Sequence, residues 1–148
     1  MSNRLASLSS LGLWLGLSLS LGLLLGTGCG TTGPEYLVAE GALGPYSSGV
    51  VIGDLVILSG KIGERGQSFE HEVETCLDAI EGELTKLGLD LGDVVEARVY
   101  LTDMARYGDF NAIYGRRLPA PYPARTCVAV KELPGEAHVE VQVAALRR

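Results

Sequence analysis

Two charged residues near the C-terminus stand where charges are costly. The run 125–130, Arg-Thr-Cys-Val-Ala-Val, and the run 139–144, Val-Glu-Val-Gln-Val-Ala, both alternate with period two, which predicts half-buried β-strands whose successive side chains point to opposite faces. Parity puts Thr126, Val128 and Val130 on one face of the first strand and Arg125, Cys127 and Ala129 on the other. In the second, Val139, Val141 and Val143 oppose Glu140 and Gln142. One permanent cation and one carboxylate are therefore expected inside a sheet, where each needs a partner. The planar guanidinium fork suits a carboxylate, either the chain's own Glu140 or one carried by a ligand. Cys127 has no histidine beside it, and His138 is distant in sequence on an expected loop, so the thiol reads as pocket wall rather than nucleophile. His71 falls on the polar face of a helix and reads as solvated. No spacing suggests a metal site, and no cofactor is expected.

Residues 36–40 read as a first strand, followed by a Gly- and Pro-bearing turn region through Tyr46. Residues 50–52 and 55–59 flank Gly53-Asp54, the clearest hairpin signal in the chain. Between residues 69 and 87, Phe69, Val73, Leu77, Ile80, Leu84 and Leu87 recur at three and four, an amphipathic helix with Ser68 as N-cap and Gly88 as terminator. Residues 93–102 alternate as a long strand with Val95, Ala97, Val99 and Leu101 on one face, and residues 107–118 form a second helix. The order predicts an α+β layer with both helices on one sheet face and Arg125 and Glu140 on the other. Adjacency alone would pair the last two strands as a hairpin, which leaves Arg125 and Glu140 roughly 13 Å apart along the sheet.

The segment Tyr122-Pro-Ala-Arg-Thr-Cys-Val128, with Leu133-Pro134 and Val139-Glu-Val141 after it, resembles the Rid family, the YjgF-type reactive-intermediate deaminases. The resemblance extends from Tyr36 to the C-terminus and includes Gly44-Pro-Tyr46, the Ser59-Gly60 corner and Phe110-Asn111-Ala-Ile-Tyr114. It implies a chorismate-mutase-like fold, a homotrimeric barrel with ligand clefts between subunits, and a last strand inserted between the strand ending at Ser59 and the one from Asp93. It also implies a set of site residues. Arg125 would grip the carboxylate of a small 2-imino or 2-keto acid, Glu140 would hold and activate water, and Tyr46, Ser59, Gly60, Asn111 and Cys127 would line the substrate. The implied reaction is hydrolysis of a 2-imino acid to a 2-keto acid and ammonia. Two departures fall near that pocket: Lys61 stands where family members commonly have Gln and is followed by a short loop at residues 62–68, so rim shape and charge are expected to differ, and the connection from the second helix to Arg125 is shorter than is usual in the family.

The first 28 residues have a separate character. Arg4 is the only charge before an apolar Leu, Gly and Ser run, which ends in Gly-Thr-Gly-Cys29. That layout reads as a secretory signal peptide of the bacterial lipoprotein type, with Cys29 lipidated, residues 29–35 a tether and 36–148 the Rid-like domain. An uncleaved membrane anchor is the other reading. Both predict export to the cell envelope, with the membrane reached through the N-terminus. The formal net charge of −6 becomes about −7 without the leader. So acidic a domain excludes nucleic acid as a partner, since phosphate backbones require a basic face. With Cys29 assigned to lipid, Cys76 and Cys127 read as two buried thiols rather than a disulfide. The rival to an enzyme is an exported carboxylate-binding module with the same Arg125 and no significant catalysis.

Overall fold

The computed structural model describes residues 33–147; the expected leader and Cys29 lie outside the described residues. In chain order the elements are β1 (Glu35–Leu37), β2 (Gly49–Ile52), β3 (Leu55–Leu58), β4 (Lys61–Ile62), α1 (Phe69–Lys86), β5 (Val94–Leu101), α2 (Tyr107–Arg117), β6 (Ala124–Ala129) and β7 (Val139–Leu146). Three 3-10 turns punctuate them, one of which, Pro134–Glu136, matters below. No helix among the described residues is long and apolar enough to cross a membrane.

The local signals act as their chemistry dictates. The Ser68 hydroxyl accepts from the His71 amide at 3.2 Å and caps α1. Gly88, at φ +74°, ends it in a conformation that other residues adopt only with strain. Val73, Cys76, Leu77, Ile80 and Leu84 form the buried stripe of α1, and Phe110 and Ile113 that of α2. Both helices pack with one sheet face in a single core that includes Val56, Leu58, Ala97, Val99, Leu101, Val139, Val141 and Val143. Arg117 of α2 ties the helices together through Glu74, Asp78 and Glu81 of α1, at 2.7, 2.7 and 2.9 Å.

The sheet runs β1-β2-β3-β7-β5-β6, with β4 also paired to β7. Apart from the parallel pair β5 and β6, all its pairings are antiparallel. β7 therefore sits centrally, as the family resemblance implies, and the hairpin suggested by adjacency does not form. The physical reason lies in the β6 connection: α2 carries the chain from β5 back over the sheet, a crossover that delivers β6 parallel to β5 at the sheet edge.

Register corrects two further expectations. A shift in the β5–β7 pairing between Val94 and Glu96 turns Val94 inward and leaves Val95 45% exposed, the reverse of the simple alternation. More consequential is the face of Arg125. It is paired with Ala97, and Cys127 with Val99, and both of those partners belong to the helix-covered core. Glu140 is paired with Tyr100 and Ile62, on the opposite face. Arg125 and Glu140 thus do not share the bare face. That face carries Ile52, Val95 and Val128, each 41–49% exposed, beside Val50, Ile57, Tyr100 and Ala144.

Candidate active site

The sequence-predicted residues gather in two places. Around Arg125 lie Asn111 and Cys127; around Glu140 lie Tyr46, Ser59 and Gly60. β5 separates the two strands, and Arg125 lies level with Val143, three residues from Glu140, so the two residues start about 14 Å apart in the sheet and their side chains then diverge.

On the helix side, α2 presents Tyr107, Asn111 and Tyr114 at i, i+4 and i+7, one stripe along the helix. One guanidinium nitrogen of Arg125, Nη2, donates to Asn111 Oδ1 at 2.7 Å and to Tyr107 Oη at 3.2 Å. The guanidinium carbon lies 4.7 Å from the Tyr114 ring centroid, 5.6 Å from that of Phe110 and 5.7 Å from that of Tyr107. Aromatic faces and an amide oxygen hold the cation without neutralising it. Among the described residues no carboxylate pairs with Arg125, whereas Arg65, Arg98, Arg106, Arg116 and Arg117 each have one at 3.4 Å or less. Asn111 thus contacts Arg125 rather than open space. Tyr107 was not singled out from sequence, and Phe110 only as part of the motif around Asn111; the spacing of aromatics there was the available signal. Burial pushes the Tyr114 phenol up to about 12, against the pull of Arg125, and its hydroxyl is buried without a hydrogen-bond partner. Burial likewise raises the Cys127 thiol, again opposed by Arg125. Cys127 is free, as is the buried Cys76, whose thiol burial pushes to about 12. These are poor conditions for a thiolate nucleophile.

On the other side, Tyr46, Ser59, Gly60 and Glu140 line one cleft of about 320 Å³, with Leu43, Gly44, Ile62 and Pro134. This is the lower end of small-molecule pocket sizes. The Ser59 hydroxyl donates to the Ser47 carbonyl at 2.6 Å, so it presents its lone pairs to the cleft. Tyr46 stands at the rim, 48% exposed, its hydroxyl accepting from the Leu43 amide at 3.3 Å. Burial raises the Glu140 carboxyl above the usual carboxylate range. Among the described residues it has no hydrogen-bond or ion-pair partner. Gly60 is needed by Glu140: a Cβ there would overlap the Glu140 carboxylate and lie 3.0 Å from its Cγ. Gly60→Ala is therefore expected to swing the carboxylate out of place at little cost in stability, because the end of a side chain yields more readily than backbone. For a reaction that depends on Glu140, kcat should fall about 100-fold with a Tm within a few degrees of the parent, measured by kinetics and calorimetry on one preparation.

Lys61 corrects the expectation of altered rim charge. Paired with Val141, it points to the helix side, where its ammonium donates to Ser48 Oγ at 2.9 Å and meets Glu83 Oε1 at 3.4 Å. Burial raises the Glu83 carboxyl, but Lys61, with help from Lys86 and Ser48, outweighs it and holds the group below the usual range. Glu72 is a buried carboxylate that sequence reasoning missed. It accepts from the His138 amide at 2.6 Å and pairs with His138 Nδ1 at 2.8 Å, anchoring the start of β7 two residues before Glu140. An acid in the first turn of a helix reads as a favourable terminal charge, so nothing local marked it as buried.

The architecture is that of an α+β protein whose mixed sheet carries two helices on one face and a small cleft around Glu140 on the other. The family described as endoribonuclease L-PSP matches residues 37–147, and the chain belongs to that family, the Rid or YjgF-type proteins. A RutC family protein, y4sK, of Sinorhizobium fredii is 37% identical over 111 residues, 70% of this chain and 88% of that one. The 2-iminobutanoate/2-iminopropanoate deaminase of Escherichia coli is 33% identical over 119 residues, 74% of this chain and 93% of that one. The structure of Escherichia coli TdcF with bound serine superposes with a TM-score of 0.68 at 31% identity, covering 73% of this chain and 92% of TdcF.

Proposed function

We propose that the chain hydrolyses small 2-imino acids to 2-keto acids and ammonia, at a site completed when Arg125 of one copy meets the Glu140 cleft of another. The observation that carries this reading is a pair of unmet needs. A half-buried guanidinium without a carboxylate and a half-buried carboxyl without a donor or cation lie on opposite faces of one sheet, so neither can satisfy the other within a chain. A homotrimer supplies the meeting place, with the bare sheet face turned inward and a substrate carboxylate on Arg125. Relatives named as 2-imino acid deaminases and a relative with bound serine, itself a small carboxylate, support the substrate class.

The chemistry then needs little more than position. Arg125, held by Asn111 and Tyr107, fixes the substrate carboxylate and so the imine carbon. Glu140 orients a water, takes its proton as the oxygen adds to C=N and passes that proton to the nitrogen, giving a neutral tetrahedral carbinolamine. The carboxylate so regenerated takes the hydroxyl proton as C=O forms and delivers it to the nitrogen as C–N breaks, which releases ammonia for a net consumption of one water. A carboxyl with a raised pKa is the stronger base for this step. Endoribonuclease activity, the family's other label, is disfavoured by the acidic chain, whose formal net charge is −6. The test is release of 2-keto acid from 2-iminopropanoate and 2-iminobutanoate generated in situ by an amino-acid oxidase or a Ser/Thr dehydratase. Acceleration over the buffer rate is expected; a folded oligomer that gives none would favour the carboxylate-binding module.

With the leader read as a lipoprotein signal, this activity is exported. Palmitate labelling of the full chain expressed in a bacterium should mark it, and Cys29→Ala should abolish the label. A labelled Cys29→Ala chain would refute lipidation there.

A further inference from the structure

The shortened loop between β4 and α1 has a latch. Arg65 on that loop donates through Nη1 to the Gly135 carbonyl and to Glu136 Oε2, both at 2.7 Å. The two residues it holds are both left-handed, Gly135 at φ +62° and Glu136 at φ +55°. The second is a non-glycine in a conformation that costs about 1 kcal/mol or more. The first residue of the same turn is Pro134, which lines the Glu140 cleft together with Ile62 and Leu43. A Cβ on Gly135 would lie 3.4 Å from Ile62 Cδ1, so the turn packs directly behind that wall. Three apolar side chains thus line the cleft beside Glu140, Ser59 and Tyr46, and Ile62 stands directly across from Glu140 in the sheet.

We infer that Arg65 is a specificity-determining positioning residue: by latching the 134–136 turn it sets an apolar wall, Leu43, Ile62 and Pro134, that receives the side chain of a branched aliphatic 2-imino acid. The inference rests on the proposed reaction for its substrate class but not for its test. Arg65 touches neither the reacting atoms nor the carboxylate. Its effect passes through the position of Pro134 and Ile62, and a wall of this kind discriminates by the methylenes that it covers. The latch is exposed enough to be removed without opening the core, since the Arg65 side chain is 40% and that of Glu136 84% exposed.

The experiment measures binding and turnover on the full chain, parent and Arg65→Ala, with Glu136→Gln as a milder second variant. Calorimetry gives Kd for pyruvate and for 4-methyl-2-oxopentanoate, the products from the smallest and from a branched substrate. Kinetics gives kcat/KM for the alanine- and leucine-derived 2-imino acids. The parent should favour the branched member of each pair. In Arg65→Ala that preference should fall about tenfold, carried by Kd and KM rather than kcat, and Glu136→Gln should move it the same way by less. Equal preference in the parent and both variants, or a parent that favours pyruvate, overturns the inference. A parent that binds with the expected preference but shows no turnover leaves the wall in place and removes the deaminase reading, so the two failures are separable.

Discussion

Arg125→Ala is expected to lower kcat/KM for 2-iminopropanoate by roughly 100- to 1,000-fold. Truncating one partner of a desolvated, hydrogen-bonded charge pair costs about 2–5 kcal/mol, and in the proposed reaction the partner is the substrate carboxylate, which positions the imine carbon. Arg125→Lys should recover little, because an ammonium cannot span two carboxylate oxygens or lie flat against Tyr114 as the fork does. Tm should drop modestly at most, since Arg125 has no ion pair among the described residues to lose. The same variant tests the intersubunit site. Arg125→Ala and Glu140→Gln chains, each inactive alone, should regain activity when refolded together. In a cyclic oligomer mixed one to one, about a quarter of the sites receive an intact Arg125 from one copy and an intact Glu140 from the next. Mixed oligomers with no recovered activity would place both residues' action within single chains and sink the proposed geometry.

Glu140→Gln should separate activity from stability. Loss of the group that activates water is expected to reduce kcat about 100- to 10,000-fold. The folded chain, in contrast, should become more stable at neutral pH. Burial raises the Glu140 carboxyl above its usual 4.5, so between 4.5 and the raised value the folded state binds more protons than the unfolded state. Stability therefore falls as pH rises through that window, and the loss is complete above the folded pKa. Glutamine carries no such penalty. The Tm of the variant should exceed the parent's at pH 7, and the gap should close below the usual carboxylate value. In the parent, the acid limb of kcat/KM should follow the raised carboxyl and be absent from whatever activity the variant retains. A variant less stable than the parent at pH 7 would show that Glu140 is satisfied in the folded protein, contrary to its lack of partners.

Much of the molecule was legible from patterns that act over a few residues. α1 was bounded by Ser68 and Gly88 because capping is local chemistry, and the β2–β3 hairpin by Gly53-Asp54, whose glycine stands at φ +59°. The stripe of α1 emerged from its 3.6-residue period. Cys76 and Cys127 were read as thiols, and both are free. The residues with chemical potential were also visible, because an Arg and a Glu inside alternating apolar runs stand out by the cost of burying charge.

Position in space followed a different rule. Alternation says that Arg125 and Val128 occupy opposite faces of a strand, but not which face meets the helices. That was decided by the parallel pairing of β6 with β5, a contact between residues 28 apart in sequence such as Ala97 and Arg125. The same holds for Lys61, whose charge is turned under α1 by its pairing with Val141, and for Glu72, buried because the His138 amide arrives from 66 residues away. Residue types and spacing thus established the elements, the caps and the list of reactive groups, since these depend on local backbone preference and the cost of burying charge. The separation of Arg125 from Glu140, on which the proposed second copy rests, arose from strand order and register, which depend on long-range pairing that no short stretch of the chain encodes.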